Sequence, residues 1–164
     1  ESEGPMDSDD PPALVLREAR ESDVAELARI YAASIRELAP EYYPADRVEA
    51  WAAFAEEAGF RDFILGPHTL VAVDASGPVG FAGMEETGRI ASLFVRPDRA
   101  RQGVASQLLE ALLRRPEVPT RLWTQASELS RPLFEKFGFT VVETEVVERR
   151  GTELGRYVME RRGG

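Results

Sequence analysis

The stretch RPDRARQGVASQLL, Arg96–Leu109, brings three arginines, a glycine and a run of small residues to what reads as the entrance of a helix. In a chain of formal net charge −9, arginines this close repel one another unless an anion comes between them. A helix N-terminus carries unpaired backbone N–H groups and the positive end of the helix dipole, so it takes phosphate readily. Gly103, with the small Ala105 and Ser106 behind it, lets a phosphate approach that backbone, and Arg99 and Arg101 add charge around it. The same residues also fit a solvated turn in which Gly103 merely starts a helix. The spacing matches neither a Walker loop nor a dinucleotide G-x-G-x-x-G loop.

Composition thins out other chemistries. The 164 residues contain no cysteine, which removes disulfides, thiolate nucleophiles and cysteine-held zinc together. No metal site is expected. His68, the single histidine, sits in GPHT with no Ser or Asp partner pattern around it and reads as a surface residue. The acidic balance argues against nucleic acid, whose phosphates want a basic face, and suits a cationic acceptor such as an amine drawn toward acidic walls. No apolar run approaches the roughly 18 residues of a membrane span, and no signal-peptide pattern opens the chain. A cytoplasmic protein without membrane contact fits these features. Lys136 is the one lysine among 20 basic residues, which reads as compositional bias.

The elements that must position the arginine stretch follow from periodicity. ESEGPM reads as an expression scar and DSDDPP as a disordered lead-in, so residues 1–12 are expected to stand outside a single domain over 13–164. ALVLREAR (13–20) alternates as a strand. Val24, Leu27, Ile30 and Leu38 then recur at helical spacing behind a cap at Ser22 or Asp23. APEYYP breaks that helix, and ADRVEAWAAFAEEAG forms a second that ends at Gly59. Residues 69–97 read as three strands in a meander. The helix GVASQLLEALLRR follows, then the strand TRLWTQAS. A short helix, SRPLFEKFGF, has Ser130 as its cap and Gly138 as its left-handed end. A C-terminal hairpin turns at Arg150–Gly151. The order predicts an α/β chain of the α+β type: a mixed, mostly antiparallel sheet of about seven strands flanked by four helices.

Two of these stretches carry a family resemblance. LFVRPDRARQGVASQLLEALL resembles the [RQ]-x-x-G-x-[GA] signature of the GNAT superfamily of acetyl-CoA-dependent N-acetyltransferases. ASELSRPLFEKFGF resembles the second signature, N-x-x-A-x-x-[FL]-Y-E-K-x-G-F. The element order is similar too. Ala100 stands at the first motif's Arg/Gln position, Ser127 at the second motif's Asn, Ser130 at its Ala, and Phe134 at the Tyr that commonly protonates the departing thiolate.

The resemblance implies an acetyl-CoA co-substrate. Its pantetheine arm would lie along Leu93, Phe94 and Val95, and its pyrophosphate on the amides of Arg101, Gln102, Gly103, Val104, Ala105 and Ser106, with Ser127 and Phe134 alongside. It implies a backbone N–H near Val95 holding the thioester carbonyl, and a primary amine of a small molecule or peptide as acceptor. Without cysteine, direct attack in a ternary complex is favoured over a covalent enzyme intermediate. The nucleophile is a neutral amine, so a carboxylate or bound water must take the acceptor's proton, and Glu85 and Glu86, where the third strand approaches the fourth, are the candidate bases, since alternation turns one of a neighbouring pair inward. Tyr42 and Tyr43 fall in the break that walls the acceptor pocket in this superfamily, and Tyr42 or Tyr43, or an ordered water, is the candidate to reach the sulfur in place of Phe134. A non-catalytic acyl-CoA-binding module is the alternative that Phe134 raises, and a homodimer is left open.

Overall fold

The computed structural model describes residues 13–149 and 151–162; the expected lead-in at 1–12 and Arg150 of the expected turn lie outside them. The chain runs β1 (Val15–Glu18), α1 (Val24–Leu38), α2 (Ala45–Ala52), α3 (Gly59–Leu65), β2 (His68–Asp74), β3 (Gly77–Met84), β4 (Arg89–Val95), α4 (Val104–Leu113), β5 (Arg121–Ala126), α5 (Arg131–Lys136), β6 (Thr140–Arg149) and β7 (Thr152–Arg162). All the strands join one sheet in the order β1-β2-β3-β4-β5-β7-β6. Every neighbouring pair is antiparallel except β4–β5, whose parallel pairing follows from the crossover through α4.

Each face of the sheet carries its own core. Leu108, Leu109 and Leu112 of α4 pack with Phe134 of α5 and Val79, Ala82 and Ile90 of the sheet. On the other face, Leu27, Ile30 and Ile35 of α1 meet Phe60 and Ile64 of α3 over Val71 and Phe81. Gly80 sets how close α4 comes: a Cβ there would lie 3.0 Å from the Phe94 carbonyl oxygen and 3.2 Å from Val104 Cγ1. The start of α4 is thereby held against the end of β4.

The fold has one helix more than the four expected. The second helix ends at Ala52, continues as a 3-10 turn through Glu56, and gives way to α3. Gly59, read as a terminator, instead opens α3, because the stripe of Phe60, Phe63 and Ile64 behind it is apolar enough to bury. The expected cap at Asp23 also differs. Its buried carboxylate turns back, accepting from Arg17 Nη1 and Nη2 at 2.8 and 2.9 Å and from the Arg20 amide at 2.8 Å. The hydrogen bonds from Arg17 hold that carboxyl below its ordinary range.

Candidate active site

A parallel pair with a bulge cannot stay together for long, and here it parts. Strands β4 and β5 share only Arg89↔Trp123 and Ile90↔Thr124 in register. The β3–β4 register slips between Gly83↔Ser92 and Met84↔Ile90, leaving Ala91 as an extra residue on β4. Beyond this bulge the strands diverge into a cleft of about 770 Å³. The Arg96 amide donates to Val79 on β3 at 2.7 Å. Alternation along the ladder therefore turns the backbone N–H and C=O of Leu93 and Val95 away from β3, toward the cleft.

The loop from β4 to α4 closes one end. Arg101 and Gly103 both take left-handed backbone conformations, φ 64° and 86°, which lift the loop out of the helical path just before α4. The backbone N–H groups of Arg101 through Ser106 find no acceptor among the described residues, the first helical bond being Gln107 N–H to Gly103 O at 3.0 Å. A Cβ on Gly103 would meet nothing within 4 Å. Of the residues assigned to the cofactor, Leu93, Phe94, Val95, Arg101, Gly103, Val104, Ala105, Ser106, Ser127 and Phe134 line the cleft. Gln102 does not; its side-chain amide donates to the Asp98 carbonyl at 3.3 Å.

Two of the three arginines already have internal anions. Arg96 binds Asp98 at 2.6 Å and Arg99 binds Asp74 at 2.9 Å. The hydroxyl and amide of Ser76 also donate to Asp74, at 2.6 and 2.8 Å. These bonds from Ser76, reinforced by Arg99, pull the Asp74 carboxyl down from 3.8 to about 2. Arg96 and Arg99 thus brace the loop, and Arg101 is exposed with no ion pair among the described residues.

At α5 Ser130 holds the expected N-cap position, but its side chain makes no bond to the helix amides. Ser127 Oγ accepts the amides of Leu129 and Ser130 at 3.1 and 3.2 Å, while Ser130 Oγ accepts the Ser127 amide at 3.1 Å. Phe134 is 2% exposed and packs edge-on against Phe139, with ring centroids 5.2 Å apart. It offers the cleft an apolar wall and no proton.

Another part of the wall comes from Tyr31 of α1, Trp51 of α2, Phe54 of the 3-10 turn after it and Phe63 of α3, with Tyr42 and Tyr43 also lining the cleft. Tyr42 is exposed. Tyr43 stacks edge-on against Trp51 and its hydroxyl oxygen accepts the Glu128 amide at 2.9 Å. Burial pushes the Tyr43 hydroxyl above its usual value, leaving it protonated. Tyr157 donates to Glu128, a bond that likewise raises the Tyr157 hydroxyl. Ser92 lines the cleft with a buried hydroxyl that has no partner among the described residues.

Glu85 and Glu86 do not line the cleft. Glu85 sits at the β3–β4 turn with its carboxylate 2.8 Å from Arg89, and Glu86 is exposed on the same turn. Glu41, beside Tyr42, is the acidic residue that does line it. The acidic walls suggested by net charge do not form here. Instead the sheet floor presents Arg89, Gln125 and Arg156, positions that the sequence reading passed over because they become neighbours only through strand pairing. His68 lies outside the cleft, paired with Glu18 at 3.1 Å. Among the described residues, no group of His, Asp or Glu is arranged to hold a metal ion, and no helix is long and apolar enough to cross a membrane.

A sheet split after a β4 bulge, with a glycine-led helix N-terminus at the split, defines an acetyltransferase fold. The chain belongs to the GNAT family of N-acetyltransferases: residues 38–161 match its acetyltransferase (GNAT) domain. It is 31% identical over 146 residues, 89% of its own length and 94% of the relative's, to the uncharacterized N-acetyltransferase YafP of Escherichia coli. A crystal structure from Rhodopseudomonas palustris, described as a GCN5-related N-acetyltransferase and as a class-II aminotransferase, superposes with a TM-score of 0.86 at 31% identity, over 93% of this chain and 96% of that one. The PaiA N-acetyltransferase of Thermoplasma acidophilum, solved with coenzyme A, shares the fold with a TM-score of 0.72 at 14% identity, over 92% and 99%.

Proposed function

We propose that this chain transfers an acetyl group from acetyl-CoA to a primary amine of a small molecule or peptide by direct attack in a ternary complex. The observation that carries the reading is the row of unpartnered amides from Arg101 to Ser106 at the end of a cleft whose side is the free backbone edge of Leu93 and Val95. Such a row suits a pyrophosphate, the free edge suits the amide-bearing pantetheine arm, and the open space before Gly103 leaves the phosphates room. The PaiA N-acetyltransferase was crystallised in complex with coenzyme A, which accords with this use of the fold.

The chain's own residues supply the rest. An N–H at Val95 is suited to hold the thioester carbonyl oxygen as charge builds on it. Glu85, Glu86 and Glu41 are the candidate carboxylates for proton removal; from the β3–β4 turn, Glu85 and Glu86 act only across an intervening water. Phe134 cannot protonate the leaving sulfur. A coenzyme A thiol resembles that of cysteine, with a pKa of about 8.5, so its thiolate leaves tolerably near neutral pH, assisted by Tyr42 or Tyr43. The test is release of free thiol from acetyl-CoA across a panel of primary amines. Amine-dependent release is expected; tight acetyl-CoA binding without release for any amine would overturn the transfer reaction.

A further inference from the structure

Among the described residues Glu41 is the acidic side chain lining the cleft, and it is exposed, while the sheet contributes Arg89, Gln125 and Arg156 to the lining. Arg89 is held on two sides, Nη1 to Glu85 at 2.8 Å and Nε to Gln125 at 3.1 Å, and its Cζ lies 5.8 Å from the Trp123 ring centroid. Gln125 passes the chain on to Glu145 at 2.9 Å, and Arg156 Nε meets that same Glu145 oxygen at 2.6 Å. The carboxylates of this array, Glu85 and Glu145, do not line the cleft; Arg89, Gln125 and Arg156 do. Among the described residues Nη2 of Arg89 and both Nη atoms of Arg156 have no hydrogen-bond partner. Both side chains are about a quarter exposed, 28% and 26%, so they are reachable yet fixed by the groups behind them.

Fixed guanidinium forks with spare N–H groups bind carboxylates in defined orientations. A polyamine or other polycation would meet like charge on this floor. We infer that the acceptor is an amine that also bears a carboxylate, an α-amino acid in chemical class, with its carboxylate on Arg156 and Arg89 and any apolar side chain toward Trp51 and Phe54. The inference rests on the amine-acetylation reading above and narrows it.

The experiment compares thiol release for a panel of α-amino acids, each beside its own decarboxylated amine, with spermidine as the polycation. Loss of one oriented charge pair is worth tenfold or more. The best amino acid is therefore expected to exceed its decarboxylated partner at least tenfold in kcat/KM. That ratio should fall at least tenfold in Arg156→Gln and recover in part in Arg156→Lys, with folding of each variant checked by melting temperature. Equal or better use of the decarboxylated amines or spermidine, or a ratio unmoved by both Arg156→Gln and Arg89→Gln, overturns the inference. Should no amine be turned over, the transfer reading falls by itself, and calorimetric titration of the N-acetyl amino acids into the coenzyme A-loaded protein decides. Binding weakened tenfold by Arg156→Gln upholds a carboxylate site, and no binding overturns it.

Discussion

Asp74, at the end of β2, holds Arg99 across the β4–α4 loop: Arg99 Nε donates to Asp74 Oδ2 at 2.9 Å, while the other carboxylate oxygen accepts both the amide and the hydroxyl of Ser76. A β-turn and the candidate phosphate loop are thereby one hydrogen-bonded unit. The arginine cluster that suggested an external anion is in part neutralised from within, and the backbone amides beyond it have no acceptor among the described residues.

Release of that unit should be visible in acid. The folded Asp74 carboxyl sits at about 2 against an ordinary 3.8. A depressed carboxyl contributes stability in full above its unfolded value and loses it as pH falls through its folded one. The melting-temperature gap between wild type and Asp74→Asn is therefore expected to be constant above pH 5 and to close between about pH 4 and 2. At neutral pH the variant should also bind coenzyme A several-fold more weakly, because Arg99 no longer braces the loop. A gap that persists unchanged to pH 2 would show that the pairing has no energetic weight.

Gly103 separates folding from binding. Its φ of 86° penalises any side chain, by about 1–2 kcal/mol for an ordinary residue, yet a Cβ there meets no neighbour within 4 Å. Gly103→Ala should therefore melt only a few degrees lower. It should weaken coenzyme A at least tenfold by placing a methyl at the mouth of the amide row. Gly103→Asp adds a negative charge there and should abolish the thermal shift given by millimolar coenzyme A. A full shift in both variants would move the phosphate site away from this loop.

Much of this was legible in the sequence, for identifiable reasons. The strand–glycine–helix passage at 91–113 is local, so spacing marked it as a helix entrance, and the family resemblance, not spacing, favoured a phosphate loop over a solvated turn. The Phe134 departure was equally visible. What escaped was either short or non-local. Helix α3 was hidden by Gly59, whose usual role as a terminator outweighed the brief Phe60–Phe63–Ile64 stripe. The Arg89–Gln125–Glu145–Arg156 array spans four strands that neighbour one another only once β7 inserts between β5 and β6, an insertion that no local periodicity encodes. Net charge suggested acidic walls, but charge summed over a chain says nothing about which side chains face a cleft.

Proton removal can be assigned by comparing three carboxylates. A general base contributes about 100-fold or more, and Glu41 is the acidic side chain in position to touch an acceptor directly. Glu41→Gln is expected to lower kcat about 100-fold, with the coenzyme A thermal shift kept. A base acting through water from the β3–β4 turn would give that loss in Glu85→Gln or Glu86→Gln instead. Full rates in all three variants would leave the proton to bulk water.

Ser92 tests whether the cleft's unpartnered polar group serves the reaction or the fold. A buried hydroxyl without a partner costs stability, so Ser92→Ala should melt at or slightly above the wild-type temperature. If the hydroxyl meets the bound acceptor, the same variant raises KM for the amine several-fold. A clear loss of stability would mean that the hydroxyl is satisfied within the fold.

The departing sulfur offers the last comparison. Phe134 lies packed on Phe139 where the family pattern places a tyrosine, so any proton for the thiolate comes from elsewhere. Tyr43 is held by the Glu128 amide through its oxygen lone pair, which leaves its own proton free to donate, and burial keeps it protonated across the neutral range. Tyr42 also lines the cleft, from an exposed position. If either tyrosine assists, Tyr43→Phe or Tyr42→Phe should lower kcat by about tenfold. In that variant Phe134→Tyr should restore rate, because it supplies a hydroxyl from α5. In the wild-type background Phe134→Tyr should raise turnover only modestly, since a thiolate of near-neutral pKa needs little help to leave. Rates left intact in the Tyr42→Phe, Tyr43→Phe double variant would show that water alone protonates the sulfur.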